Sequence, residues 1–271
     1  MLRLLLAVAV SLTVGCAAPR AGTATMPGKA GSSAAPQWEP IGTSREGRPV
    51  RAMNLGAVDR SVGDRSAKAR RVTVIAGIHG DEQEGLRHLP EIIELLKDAP
   101  WDVRLIENAS PDGAAAESRT TSTGVDPNRN WPSDNFRPSR RNGPRALSEP
   151  EIAAVHGDLL RSKPDLVIVL HSARSGPFVN FDGPAADEAH RFRAGAGNPW
   201  RVQPSMGYPT PGSLGSWVGV DWGVPILTIE FRRGSGPEES GPALLRGLRS
   251  VLWGDAGVQG PASTAEPMVV R

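Results

Sequence analysis

Apolar positions along this chain follow two rhythms. Val72 to Ile78 is a dense run rich in β-branched residues, and Leu166 to Leu170 and Ile226 to Phe231 repeat the pattern. Short continuous apolar runs of this kind predict strands buried on both faces. Val103 to Ile106 predicts a further strand, and Val50 to Leu55 an early edge strand after the turn-like Ser44-Arg45-Glu46-Gly47. The second rhythm is helical. Glu82 to Lys97 sets Leu86, Leu89, Ile93 and Leu96 on one face, and Pro90 inside it predicts a kink or a break. In Ser148 to Leu160, Ser148 is placed to cap, Pro150 to sit in the first turn and Glu151 to complete a capping box. Leu244 to Leu252 reads as a closing helix. Apolar strands separated by amphipathic helices predict an α/β sheet covered on both faces.

The two ends depart from this pattern. Arg3 followed by the apolar run Leu4 to Val14 is shorter than the ~20 residues a bilayer-spanning helix needs. It fits a secretory leader, so residues 1–15 are expected to be a signal peptide and the protein to be exported to the periplasm or cell envelope. Thr13-Val14-Gly15-Cys16 resembles a bacterial lipobox, with threonine where leucine is usual, and marks Cys16 as the candidate lipidation site and the one expected membrane attachment. Residues 16–37 are rich in Ala, Gly, Ser and Pro and read as a flexible tether. Residues 38–254 form the expected folded domain, and 255–271 a loose tail. Cys16 is the single cysteine, so no internal disulfide can form.

Charge excludes one class of partner. With 31 basic and 29 acidic residues the net charge is +2, and the arginines are scattered with no aromatic ladder between them. Nucleic-acid binding needs a coherent basic face, so none is expected. The 31 glycines and 25 prolines predict many turns and long loops.

Four residues stand where an α/β sheet builds its sites, at the C-terminal ends of strands. His79 follows the Val72 to Ile78 run and Glu82 comes three residues later, with Gly80 between them to let the chain bend. His171 follows Leu170, and Glu230 lies near the end of Ile226 to Phe231. Imidazole and carboxylate donors suit zinc, which needs three protein ligands and an open position for catalysis. A carboxylate ending a buried strand is costly without a partner and suits a general base. On these residues alone the bland alternatives stay open: a helix-capping acidic pair beside an incidental histidine, and a surface glutamate past a strand end. His88, His156 and His190 fall in helical or polar segments and read as structural.

His79-x-x-Glu82, Pro111-Asp112-Gly113, Gly124-Val125-Asp126-x-Asn128-Arg129-Asn130, Ser148-Glu149-Pro150-Glu151, Leu170-His171-Ser172 and Thr228-x-Glu230 occur in the order found in the zinc carboxypeptidase family. The opening Ile41-Gly42-x-Ser44-x-Glu46-Gly47-Arg48-Pro49 resembles the usual start of that domain, and the resemblance runs to about Trp253. It implies a carboxypeptidase-like mixed, mostly parallel sheet with helices on both faces, and one Zn2+ per chain held by His79, Glu82 and His171. It makes Glu230 the base, Asn128 and Arg129 the grip on the substrate's free carboxylate, and Arg119 the partner of the developing oxyanion. Asp126 would orient a metal-bound histidine, and Tyr208 resembles a mobile phenol that covers the substrate.

Within the family, Val179 to Pro184 and Met206 to Trp217 are most similar to members that cut murein peptides between γ-D-glutamate and meso-diaminopimelate. Phe181 departs from that branch by replacing a tyrosine. The expected partner is therefore a murein-derived peptide. Two other readings remain at this stage: an N-acyl-amino-acid deacylase of the succinylglutamate desuccinylase or aspartoacylase type, and an inactive wall-binding lipoprotein.

Overall fold

Val72, Thr73, Val74 and Ile75 are all buried, so the strand that holds them is covered on both faces. It is β3 in a computed structural model that describes residues 36–56 and 70–254. The elements in chain order are β1 (Glu39–Thr43), β2 (Pro49–Leu55), β3 (Arg71–Ile75), α1 (Glu84–Arg87), α2 (Leu89–Leu96), β4 (Asp102–Ile106) and α3 (Pro111–Ala115), followed by α4 (Pro150–Ser162), β5 (Leu166–Ala173), β6 (Phe178–Asp182), α5 (Ala186–Ala196), β7 (Ile226–Arg232) and α6 (Pro237–Trp253). A 3-10 turn covers Pro127–Arg129 and a π-helical segment Ser216–Asp221.

The strands form one mixed sheet in the order β1-β2-β4-β3-β5-β7-β6. The four central strands β4, β3, β5 and β7 run parallel, and β1, β2 and β6 join by antiparallel pairing. Alternate residues feed two cores, as the two-residue period of a strand requires. Val74, Leu105, Ile168 and Leu227 pack with Ile92 of α2, Phe192 of α5 and Leu248 of α6. Ile75, Ile106, Val167 and Ile226 face the other way, toward Ile152 and Val155 of α4 and toward Trp131 and Trp217.

Several expectations are corrected here. The strand at Val50 is not at the edge, because Glu39–Thr43 pairs outside it. Of the two outcomes expected at Pro90 the break is the one found: α1 and α2 are separate helices meeting at His88, with Pro90 in the first turn of the second. β5 continues through His171 and Ser172, so that histidine lies inside a strand. The left-handed residue before His79 is Gly77 (φ +67°), whereas Gly80 serves close approach: a Cβ there would meet the backbone of Gly113 at 1.9 Å. The segments expected to be a signal peptide and a tail, Cys16, and most of the expected tether lie outside the described residues. No helix among those described is long and apolar enough to cross a membrane.

The expected capping box at α4 does not form. Glu149 is the cap residue and makes no side-chain capping bond; its carboxylate instead accepts from Thr121 and Thr123. Ser148 donates to Glu149 and accepts from Asn130. Glu151 is left fully buried, and neither carboxyl oxygen reaches a well-aligned partner among the described residues. Burial, reinforced by the nearby carboxylates of Glu149 and Asp112, pushes its pKa up to about 7, against weaker opposition from the amides of Glu151 itself and Arg45.

Between pH 4.5 and about 7 the folded state keeps a proton that the unfolded chain has lost, so stability falls as pH rises through that window. Glu151→Gln should be near neutral at pH 4.5 and stabilising by on the order of 2 kcal/mol at pH 8. Denaturant unfolding of both proteins at the two pH values checks this, and equal pH slopes would refute it.

Candidate metal centre

The parallel register of the central strands brings distant residues to one level. His171 pairs directly with Glu230 across β5 and β7, and His79 lies a few residues beyond the end of β3, the neighbour of β5 on its other side. Gly77 turns the chain out of β3, and the Glu82 amide donates to the His79 carbonyl at 3.2 Å, closing a tight turn. That turn points both side chains at the same place. His79 Nδ1 lies 2.9 Å from Glu82 Oε1, and His171 Nδ1 lies 2.8 Å from Glu82 Oε2. The two rings are 4.9 Å apart between centroids.

All three side chains are buried, and their donor atoms lie within 4.8 Å of one another. Two imidazole nitrogens and one carboxylate are a donor set that suits zinc at an open catalytic site. The hydrogen-bond pattern supports the fit. Asp126 Oδ1 sits 3.0 Å from the far nitrogen of His79, Nε2. A carboxylate there fixes the ring and leaves Nδ1 to face a cation. Asp126 is itself held by the amide of Asn128 and by Arg141 at 2.9 Å.

Electrostatics binds this group together. Burial alone would raise the Glu82 carboxyl, but His171 and His79 outweigh it and hold the pKa well below the usual carboxylate range. Burial likewise opposes protonation of His79, yet the carboxylates of Asp126 and Glu82 raise its pKa. Arg119 Nη1 donates to Glu82 at 2.8 Å and Arg233 Nη2 at 3.2 Å. Glu230 differs from these. Its carboxylate makes no hydrogen bond to another described residue, it is 7% exposed, and burial pushes its pKa up.

Beyond the cluster opens a cleft of about 560 Å3. Arg129 lines it from the 3-10 turn, 5% exposed, with one bond from Nη1 to the carbonyl of Asn128. Asn128 also lines the cleft, and its side-chain oxygen accepts from the Leu214 amide. Tyr208 stands on the rim and is 56% exposed. Every anticipated site residue except Cys16, which is not among those described, therefore meets in or beside one cleft. Arg119 spends its described contacts on Glu82 and Asp126. The other histidines are structural or exposed: His88 bonds Ser240, His156 packs on Trp217, and His190 is on the surface.

Two participants escaped the sequence reading. Arg233 follows Glu230 by three residues and bridges Asp81 and Glu82, a reach that the position just past β7 could have suggested. Arg141 lies in a basic run that reads as solvated surface, and nothing local ties it to Asp126.

Comparison with known proteins agrees with this arrangement. The family model described as zinc carboxypeptidase matches residues 33–191, a span that holds His79, Glu82, Asp126, Arg129 and His171. Murein peptide amidase A of Escherichia coli (strain K12) is 28% identical over 245 residues, covering 85% of this chain and 96% of that protein. The solved murein-tripeptide amidase from Escherichia coli O157 superposes with a TM-score of 0.64 at 24% identity, over 83% of this chain and 93% of the other. Carboxypeptidase A from Helicoverpa armigera gives a TM-score of 0.65 at 17% identity, over 82% of this chain and 68% of the other, and so shares the fold.

Zinc added to metal-free protein should raise its Tm, by about 4 kcal/mol of stability at a thousandfold excess over Kd. His171→Ala should remove most of that rise in a thermal melt, and an undiminished rise would place the metal elsewhere.

Proposed function

Because the chain belongs to the zinc carboxypeptidase family, we propose that it is an exported murein peptide amidase, cutting the bond between γ-D-glutamate and meso-diaminopimelate. The family makes it a hydrolase of the metallopeptidase type. The narrower substrate draws support from the likeness to murein peptide amidase A across nearly the whole of that protein. One observation carries the mechanism: Glu230, buried and without a side-chain partner among the described residues, lies in register with His171 and opens onto the same cleft as Arg129.

His79, Glu82 and His171 would hold one Zn2+, which when bound polarises the scissile carbonyl and acidifies water. Arg129 receives the free carboxylate of the leaving residue, since a guanidinium offers paired donors matched to that group. Its burial leaves it poorly solvated, and burial lowers its pKa, so an incoming anion meets little competition from water. Asn128, held through its oxygen by Leu214, keeps the wall beside Arg129 in place. Glu230 accepts a proton from the attacking water and returns it to the departing amine. Arg119, 41% exposed at its side chain, has room to turn from Glu82 toward the oxyanion. Asp126 keeps the His79 ring oriented, and Tyr208 closes over the bound residue from the rim.

Export belongs to the same reading and rests on the leader-like residues 1–15 and on Cys16 as the lipid attachment point. Cys16→Ser should move the protein from the membrane fraction to the soluble fraction, and an unchanged distribution would remove the anchor from the reading.

Glu230→Gln should keep its zinc and lose roughly 10²–10⁴ in kcat on murein tripeptide. Mass spectrometry of the released diaminopimelate, with metal content measured in parallel, checks both points. Turnover of N-acyl amino acids but not of murein tripeptide would favour the deacylase reading. Cleavage that survives a chelator would sink the metal mechanism.

A further inference from the structure

Five arginines line the cleft, and one of them is uncommitted. Arg119 and Arg141 pair with Asp126, Arg119 and Arg233 with Glu82, and Arg233 also with Asp81. Arg129 bonds the carbonyl of Asn128. Arg174 is exposed, and it makes no hydrogen bond or ion pair with another described residue.

The backbone of Arg174, by contrast, is fixed. It lies one residue past the end of β5, in the tight turn that leads to β6. The amides of Gly176 and Arg233 both donate to the Ala173 carbonyl at 3.0 Å. Arg201 donates to the carbonyls of Ser175 at 2.8 Å and Pro177 at 3.2 Å. A Cβ on Gly176 would meet the Phe231 carbonyl oxygen at 2.3 Å, so the turn packs directly on β7. A long cationic side chain thus reaches the cleft from an anchored stem.

Its place along the cleft sets which part of a substrate it meets. Asn128 and Arg129 lie at the other end, joined to β6 by the chain from Gly212 to Gly215. A Cβ on Gly212 would meet the Arg129 carbonyl oxygen at 2.3 Å, and one on Gly215 would meet Asp182 Oδ2 at 2.1 Å. Asp182 pairs with Ile226, at the start of β7 and four positions before Glu230. Arg174 lies past the level of Glu230 in the opposite direction, because β5 and β7 run parallel with His171 beside Glu230. With the leaving residue's carboxylate on Arg129, Arg174 faces the residue that supplies the scissile carbonyl.

We infer that Arg174 is the specificity-determining residue for that acyl side, receiving a free carboxylate on the residue whose carbonyl is attacked. A γ-linked glutamyl residue carries its carboxylate four bonds from the attacked carbon, about 5 Å away when extended. Arg174 follows His171 by three residues, roughly 10 Å of extended chain. A charge-assisted hydrogen bond of about 2.8 Å leaves a gap that an arginine side chain spans. A guanidinium offers paired donors to a carboxylate and no acceptor to an amide N–H. A γ-linked isoglutaminyl residue has the same shape with a carboxamide in that place, so the cleft should separate the two by charge. The inference rests on the murein peptidase reading for the position of the reacting bond, and deepens it by naming how the acyl residue is read.

The test is calorimetric binding of L-Ala-γ-D-Glu-meso-diaminopimelate and its isoglutaminyl counterpart to zinc-loaded Glu230→Gln protein, with and without Arg174→Gln. Turnover of both peptides by the wild type is followed in parallel. The glutamyl peptide should bind on the order of tenfold more tightly at low salt, a preference that shrinks at high ionic strength. Arg174→Gln should remove the preference and bind the isoglutaminyl peptide as before, which also reports an intact cleft. Equal binding of the two peptides, or a preference that survives Arg174→Gln, would overturn the assignment, and with turnover intact the murein reading would stand. A preference without turnover by the wild type would defeat the murein reading and leave Arg174 as the carboxylate receptor. Binding of neither peptide would overturn both.

Discussion

The removal of Glu82 from water is the constraint around which the rest of the site is arranged. An ionised carboxylate at 4% exposure would cost several kcal/mol if it stood alone. Here His79 and His171 each approach one of its oxygens, the Ser172 amide donates to Oε2 at 3.1 Å, and Arg119 and Arg233 close on Oε1. These five partners come from four separate parts of the chain, His171 and Ser172 both from β5, so the charge acts as a tie among the ends of β3, β5 and β7 and the loop before the 3-10 turn. A divalent cation held at the same point by His79, Glu82 and His171 would supply positive charge where the imidazoles now share the carboxylate. The electrostatic demand that organises the fold locally is thus the demand that recruits the metal.

The sheet converts that local demand into a site with direction. Because β3, β5 and β7 are parallel neighbours, their C-terminal ends arrive together, and the register places His171 beside Glu230 without any loop having to reach across. The antiparallel β6 then extends the wall away from the His79, Glu82 and His171 cluster, which gives the cleft its length. Opposite it, the 3-10 turn and the segment around Gly212 are locked together: Trp131 donates to the Gly212 carbonyl, and a Cβ on Gly212 would strike the Arg129 carbonyl at 2.3 Å. Arg129 is therefore set by backbone packing and needs no ion pair to hold it.

Much of this was legible in the sequence, for a physical reason. β3, β5 and β7 are continuous apolar runs because both faces are covered, and the catalytic candidates directly follow or end those runs. β6 carried a weaker signal: Phe178-Val179-Asn180-Phe181-Asp182 places polar residues at the alternate positions that face the cleft, a pattern open to more than one reading. β1 contains Pro40 and Gly42 and gains its order from pairing with β2 and packing on α4, which no local pattern reveals. The misread capping box has the same origin. Ser148 and Glu149 have the chemistry to cap, but Asn130, Thr121 and Thr123 claim them through contacts distant in sequence. Arg141 shows the limit most plainly, since only the folded chain brings it from a basic run to Asp126.

A division of labour within the cleft follows from which polar groups are already satisfied. Glu82, Asp126, Arg119 and Arg233 are matched to one another, and groups matched in this way fix positions and resist displacement. Arg129 has one backbone bond, and Glu230 and Asp182 have no described partner. Leaving three such groups partly or wholly withdrawn from water is unfavourable for folding alone, because an unmade hydrogen bond to a desolvated charge has no compensation. The cost is offset only when something enters the cleft that carries complementary polar groups. The unsatisfied positions are ordered along one wall, with Glu230 level with His171 and Asp182 furthest along β6, and that order gives the cleft its direction.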